Sequence, residues 1–323
     1  MTKNYFKVEE VKKKLDSAKN ISILTHLNPD ADTIGTALGI YNLLVKDRTK
    51  RVEVVNASTA LPKYLDFLKG FSKIKRKMDY EDSLIIACDC GSIDRLGFDL
   101  DGRDILNIDH HKSNTNYGSL NVVMGDYASA SQVAYELFRE LFDIDKEVAT
   151  CFYAALLSDT RYFTTNAVNH KVFMVANELV SLGAVPKDIA YNFTQRRSLS
   201  SIRILQKALE NIELHNEARV ATSFVTKDDI ETAGATMPDM DGIVDYGRSL
   251  VTVEISVFLV ELDDSVRVSL RSSSVDISLL ANKLGGGGHK VAAGFTTTTT
   301  SIQETIDIIL KNIQKLGLLN GKI

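Results

Sequence analysis

The stretch His26-Leu-Asn-Pro-Asp30-Ala-Asp32 packs an imidazole and two carboxylates into seven positions directly after the apolar run Ile21–Leu24. Three segments of the same character follow: Asp89 between Cys88 and Cys90, the run Asp109-His110-His111, and Asp159 in Leu156-Leu157-Ser158-Asp159-Thr160. Singly, each has an ordinary reading; Asp30 and Asp32, for example, suit the cap of a helix beginning near Thr33. Their recurrence is the signal. His26, Asp30, Asp32, Asp89, His110 and Asp159 offer only oxygen and imidazole donors, a set suited to two divalent ions of the manganese or magnesium kind, since no thiolate is required. If Asp89 bridges, each ion gains protein ligands and keeps open positions. Two metals about 3.5–4 Å apart can clamp the attacking and leaving oxygens of a phosphate and lower the pKa of bound water towards about 7. The expected chemistry is phosphoester hydrolysis, with manganese as the expected ion and magnesium or cobalt as alternatives.

These residues need elements that make them converge. The first half alternates short β-branched runs with helical periodicity: residues 21–26, a helix over about 33–46, then 51–56, 83–90 and 104–111. Strands separated by helices imply an α/β fold with a doubly wound parallel sheet. Three of the strands end in His26, in Asp89 and in Asp109-His110-His111, and in open α/β sheets ligands sit at the carboxyl ends of strands. From Ser129 to about Leu214 the pattern is helical, and Ser129 and Ser131 suit the cap of the first of these helices. Cys88 and Cys90, flanking Asp89 on a strand, should share the face opposite to it and be buried. His170 and His215 read as surface or core fillers.

Beyond His215 the composition turns to strands, at 218–226, 250–262 and 265–273, and the chain closes on an amphipathic helix near 302–316, so a second, smaller α/β domain is expected. The threonines 296–300 suit an edge strand. Gly285, Gly286, Gly287 and Gly288, followed by His289, come after Leu284 at the end of a predicted helix and close in sequence to Arg271. They do not form a Walker loop, which needs Gly-Lys-Ser/Thr. A backbone amide nest for a phosphate is the functional alternative to a plain mobile turn.

Composition narrows the partners. The chain has 323 residues, 44% of them hydrophobic, enough for roughly two domains of about 150 residues each with its own core. A net charge of −4 lacks the footprint for long double-stranded nucleic acid, whereas a short, terminally charged ligand is compatible. Three cysteines cannot pair fully and match no zinc ribbon, so a reducing setting is expected. No apolar run approaches about 18 residues, and residues 1–20 have the charge of an amphipathic helix without a signal-peptide core, so neither membrane nor export is expected and the cytoplasm is.

Together, HLNPDADTIG, CDCGSIDRLG, IDHH and LLSDT resemble motifs one to four of the DHH phosphoesterases, and GGGGHKVAAGF resembles the signature of their associated C-terminal domain. The resemblance covers nearly the whole chain, in order. It implies a catalytic domain over residues 1–195, a connecting helix over 196–216 and a substrate-binding domain over 217–323, with the active site in the cleft between them. It implies His26, Asp30 and Asp89 on one manganese, and Asp32, Asp89, His110 and Asp159 on the other. His111 would face the scissile phosphate beside the bridging Asp89, and Asp109 would orient an imidazole from behind. Arg271, Gly285–Gly288 and His289 would hold substrate. Many members carry glycine after the Asp-Thr of motif four, where this chain has Arg161. The length and two-domain plan resemble the branch that trims very short oligoribonucleotides and dephosphorylates 3′-phosphoadenosine 5′-phosphate (pAp). The expected partners are therefore short single-stranded RNA, dinucleotides and pAp, with a homodimer also in view. Hydrolysis of pApA or cyclic di-AMP is the alternative within the class, and a catalytically silent nucleotide sensor the alternative outside it.

Overall fold

The computed structural model describes residues 7–319, and the chain divides into two compact units, Met1–Arg196 and Arg197–Ile323. In the first unit the order is α1 (Val8–Ser17), β1 (Asn20–Thr25), α2 (Ala31–Leu44), β2 (Arg51–Val55), β3 (Ile74–Lys75), β4 (Leu84–Cys88), β5 (Ile105–Asp109) and β6 (Leu120–Val123). Four helices follow: α3 (Ala130–Phe138), α4 (Lys146–Asp159), α5 (His170–Ser181) and α6 (Pro186–Thr194). The first six residues of the amphipathic N-terminal segment lie outside the described residues.

The six strands form one parallel sheet in the order β3-β2-β1-β4-β5-β6. Strands β4 and β5 are buried along their whole length, as continuous apolar runs covered on both faces must be. The strand order reverses between β1 and β4, which opens a crevice at their carboxyl ends. Every residue of α2 except Tyr41 is buried, so this helix is enclosed by its neighbours. Its closest approach is to α4. A β-carbon at Gly35 would lie 2.7 Å from the Cys151 carbonyl oxygen and 2.8 Å from Ala155 Cβ, and one at Gly39 would lie 2.3 Å from the Phe152 ring. Moving forward along α2 thus means moving backward along α4, so the start of α2 and the end of α4 share one end of the seam.

The second unit comprises α7 (Leu199–Glu210), β7 (Glu213–His215), β8 (Val220–Val225), α8 (Lys227–Ala233), α9 (Val244–Arg248), β9 (Ile255–Glu261), β10 (Val266–Ser272), α10 (Ser278–Lys283), β11 (Gly287–His289), β12 (Ala292–Thr296) and α11 (Ile302–Lys315). Its sheet is mixed, in the order β11-β12-β10-β9-β8-β7, with β8 and β9 parallel and the other pairs antiparallel. Three expectations are corrected here. The connecting helix stops at Glu210, and residues 213–215 pair with β8 as a strand. The strand expected from 250 starts at Ile255, and Val251, which the apolar pattern would have buried, is fully exposed. Of the threonine run only Thr296 is in a strand, and that strand is interior, paired to β10 on one side and β11 on the other. The composition signals a sheet, but where the chain turns is set by pairing partners far away in sequence. Among the described residues no helix is long and apolar enough to cross a membrane.

Because the Gly35 contact is with backbone, it cannot be relieved by a rotamer change. Gly35→Ala is expected to cost about 1–3 kcal/mol in urea unfolding, the usual cost of overpacking. An unchanged midpoint and slope would show that the two helices have room to part.

Candidate metal centre

Each strand end delivers one part of the centre. His26 follows β1 directly, with its side chain 6% exposed. Its Nδ1 lies 2.8 Å from the Leu27 carbonyl oxygen, which can only accept, so Nδ1 carries the hydrogen and Nε2 is left for the carboxylates of Asp89 at 3.6 Å and Asp30 at 3.9 Å. His110, just past β5, repeats the arrangement. Its Nδ1 is 3.2 Å from the Tyr127 carbonyl, and its Nε2 lies 3.5 Å from both Asp89 and Asp159 and 3.9 Å from Asp32. A backbone carbonyl behind an imidazole fixes the tautomer that leaves Nε2 as a donor pair for a metal.

Asp30 and Asp32 enter from the start of α2, where the capping reading and the ligand reading coexist. Asp30 Oδ1 accepts from the amides of Asp32 (3.0 Å) and Thr33 (3.1 Å), the geometry of an N-cap. Asp32 is buried, and its carboxylate accepts from the Ala130 and Ser131 amides at 2.7 and 3.2 Å, at the N-terminus of α3, where the helix dipole favours an anion. Ser129 caps that helix through the Gln132 amide. The sequence pointed to the cap but not to its tie to Asp32, since a backbone amide leaves no residue-type signature.

Asp89 occupies the middle. The strand expected to run through residue 90 ends at Cys88, and Asp89 takes a left-handed φ of 55°. The alternation argument for Cys88 and Cys90 therefore fails at this residue, although both cysteines are buried and unpaired. Aspartate is among the few residues that tolerate this conformation. Asp89 Oδ1 is buried without a hydrogen-bond partner among the described residues, yet His110 Nε2 and His111 Nδ1 each lie 3.5 Å away.

Behind these groups Asp109 Oδ1 accepts from His111 Nδ1 at 2.7 Å and from the His110 and His111 amides at 2.7 and 3.2 Å. Its other oxygen is held by Asn114 Nδ2, which also donates to the Cys90 carbonyl at 3.1 Å. Asn114 escaped sequence reading because an asparagine in a polar loop is unremarked until its burial is known.

The ligand atoms of His26, Asp30 and Asp89 lie within 4.8 Å of one another, as do those of Asp32, His110 and Asp159 and those of Asp89, Asp109, His110 and His111. Charge responds accordingly. Burial raises the carboxyl of Asp32 well above its usual range, reinforced by the negative charges of Asp89 and Asp159, and burial likewise pushes Asp159 up to about 6. Burial would raise Asp89 too, but the imidazoles of His110 and His26 outweigh it and hold that carboxyl below its usual range. Burial would lower His26 and His110, yet the surrounding carboxylates win and raise both. Converging acids whose charge is met in part by backbone amides and in part by borrowed protons, with a buried carboxylate oxygen lacking a hydrogen bond among them, fit divalent cations, and the all-oxygen-and-imidazole donor set fits manganese or magnesium.

The chain leaves α4 unusually. Arg161, Tyr162 and Phe163 take φ values of 46°, 58° and 63°, a left-handed turn that costs on the order of 3–6 kcal/mol over three non-glycine residues. Glycine, which takes such a φ without strain, would suit the Arg161 position.

In the second unit, Arg271 on β10 and His289 on β11 both stand opposite Ala292 on β12, so all three share a row across the sheet and present side chains on one face. The two outer strands flank β12 at roughly 4.8 Å each, which spaces Arg271 and His289 about 10 Å apart over a small alanine. Two amides of the glycine run are already engaged. The Gly285 and Gly286 amides donate to Asn282 and Ala281 carbonyls at the end of α10, and Gly287 and Gly288 belong to β11. A β-carbon at Gly288 would lie 2.4 Å from Ala293 Cα, so close strand approach demands glycine there.

Comparison with known proteins agrees with both halves. Residues 20–156 match the family described as DHH family, N-terminal domain, and residues 217–315 match the DHHA1 domain. The bifunctional oligoribonuclease and PAP phosphatase NrnA of Bacillus subtilis is 28% identical over 275 residues, covering 83% of this chain and 86% of that protein. The protein of the same name from Thermus thermophilus is 29% identical over 307 residues, covering 91% and 89%. The crystal structure of an exopolyphosphatase-related protein from Bacteroides fragilis matches with a TM-score of 0.88 at 26% identity, covering 96% of each chain.

Protons held by the raised histidines must leave when an ion takes Nε2. Manganese binding near pH 7 is therefore expected to release protons, and its affinity to weaken as the pH falls, more steeply below the Asp159 value of about 6. Calorimetry in buffers of different ionisation enthalpy reads the proton count. Binding with no proton release and no pH dependence would place the ion elsewhere.

Proposed function

We propose that this chain, with a DHH family N-terminal domain over residues 20–156 and a DHHA1 domain over residues 217–315, hydrolyses oligoribonucleotides of a few units to mononucleotides and dephosphorylates pAp to AMP. The single observation that carries the reading is the pair of adjoining clusters, His26, Asp30 and Asp89 in one and Asp32, His110 and Asp159 in the other, linked by the approach of His110 to a buried Asp89 oxygen that has no hydrogen-bond partner among the described residues. The names of relatives matching most of this chain and most of their own length support the substrate class.

In this reading His26, Asp30, Asp32, Asp89, His110 and Asp159 would hold two divalent ions, manganese in this proposal, which would supply a water of lowered pKa and offset charge on the phosphoryl oxygens. The chain's own residues do the rest. Asp109 accepts the Nδ1 hydrogen of His111 and, with Asp89, raises its pKa, which favours a proton on Nε2 for delivery to the scissile phosphate. Asn114 fixes Asp109, and Asp109 fixes the ring. Arg271 and His289 take the terminal phosphate of the substrate. Since the Gly285 and Gly286 amides are spent on α10, the glycines contribute by letting β11 lie close to β12 and so setting the position of His289.

Turnover of pAp, pApA, cyclic di-AMP and a ladder of oligoribonucleotides, side by side with manganese, tests the assignment. Dinucleotides and pAp are expected to be turned over at least about tenfold more efficiently than a chain of about twenty nucleotides, a difference of roughly 1.4 kcal/mol. Preference for cyclic di-AMP would move the protein to second-messenger turnover, and equal efficiency at all lengths would remove the terminal clamp. Arg271→Ala is expected mainly to raise KM by one to two orders of magnitude, since a charge-assisted bond is worth about 1.5–3 kcal/mol. His111→Ala is expected instead to lower kcat with metal content unchanged. A kinetically silent Arg271→Ala, or a His111→Ala that alters only KM, would overturn these roles.

A further inference from the structure

The left-handed turn after Asp159 sorts its aromatic side chains. Thr160 is buried, and its hydroxyl donates to the Leu156 carbonyl at 2.6 Å and accepts from the Phe163 amide at 3.2 Å. The Tyr162 amide reaches back to the Leu157 carbonyl at 2.8 Å, and the Thr164 amide to the Thr160 carbonyl at 2.8 Å, so the turn is tied to the last turn of α4. Phe163 is half-buried, with its ring against Tyr153 and Phe173 at 6.3 and 5.3 Å. Tyr162 is 43% exposed. Its ring is braced edge-on by Phe193 at 6.4 Å, and Phe193 is braced in turn by Tyr64 and Phe67 at 5.7 and 6.2 Å.

We propose that Tyr162 is a substrate-binding residue, a platform on which the nucleobase next to the scissile phosphate stacks. The inference rests on the phosphoesterase reading and deepens it. Three peptide steps separate Tyr162 from Asp159, at most about 11 Å of backbone, and the bond to Leu157 shortens this. A nucleotide whose phosphate lies on the Asp159 side of the metal centre carries its base one sugar away, within that span. Every base has a π-face, so an aromatic platform holds short RNA without reading its sequence. The backing by Phe193, Tyr64 and Phe67 keeps the ring from collapsing onto the protein, and stacking loses less side-chain freedom on a braced ring than on a mobile one. The turn thus sets a large, partly exposed ring three residues after Asp159.

The test compares the wild-type protein with Tyr162→Ala and Tyr162→Phe, all loaded with manganese, on a diadenylate and on the same dinucleotide with the base at the proposed position removed. Tyr162→Ala is expected to raise KM for the diadenylate roughly ten- to a hundredfold with little change in kcat, while Tyr162→Phe retains the wild-type KM. On the abasic substrate all three proteins should be alike. Stopped-flow mixing with a 2-aminopurine dinucleotide gives a second readout, a fluorescence quench on binding that is lost in Tyr162→Ala. Diadenylate turnover with unchanged KM and unchanged quench in Tyr162→Ala overturns the platform and leaves the phosphoesterase reading standing. Absence of diadenylate turnover by the wild-type protein overturns the phosphoesterase reading instead, and the quench still reports on Tyr162.

Discussion

One constraint organises the first half of this protein: a buried carboxylate, Asp89, held between the imidazoles of His26 and His110 at the point where the strand order of a parallel sheet reverses. Burying one ion is costly unless it is paired. Here Asp30, Asp32 and Asp159 add further negative charge nearby, and the histidines cannot satisfy all of it. Such a cluster is tolerable when divalent cations sit among its carboxylates and imidazoles, and these groups are able to hold them. The pattern of raised acids and raised histidines is the proton-filled counterpart of a metal-filled site.

The architecture that holds the cluster follows from this need. Asp32 rides on α2 and Asp159 on α4, and glycines at 35 and 39 let those helices approach closely enough for both carboxylates to reach one imidazole, His110. The N-terminus of α3 supplies two amides to Asp32, and the Tyr127 carbonyl orients His110. Precision at the centre thus depends on helix packing tens of residues away in sequence. Left-handed backbone occurs within the cluster at Asp89 and just after it at Arg161, Tyr162 and Phe163, as it also does in the turn between β7 and β8 at Asn216, Glu217 and Ala218.

Much of this was legible in the chain itself. The β-branched runs ending in His26, Asp89 and Asp109 carried the parallel sheet and its carboxyl-end crevice, because strand periodicity and donor chemistry are both local properties. What escaped was non-local or backbone-borne. The amides of Ala130 and Ser131 leave no trace in residue type, Asn114 becomes informative only once buried, and the left-handed φ of Asp89 undid the simple alternation that would place Cys88 and Cys90. The glycine run from Gly285 reads as a nest from sequence, yet two of its amides are taken by α10 and two of its residues extend the sheet, a competition decided by the β12 partner. The threonine run failed for the same reason, since strand propensity cannot say whether a strand lies at an edge.

Crystals of the protein grown with manganese and measured at the manganese absorption edge put the two-ion centre to its most direct test. Two anomalous peaks about 3.5–4 Å apart are expected, one beside His26 and Asp30, the other beside Asp32, His110 and Asp159, with the carboxylate of Asp89 between them. A single peak, or two peaks with Asp89 bound to neither ion, would contradict a bridged dimetal phosphoesterase centre.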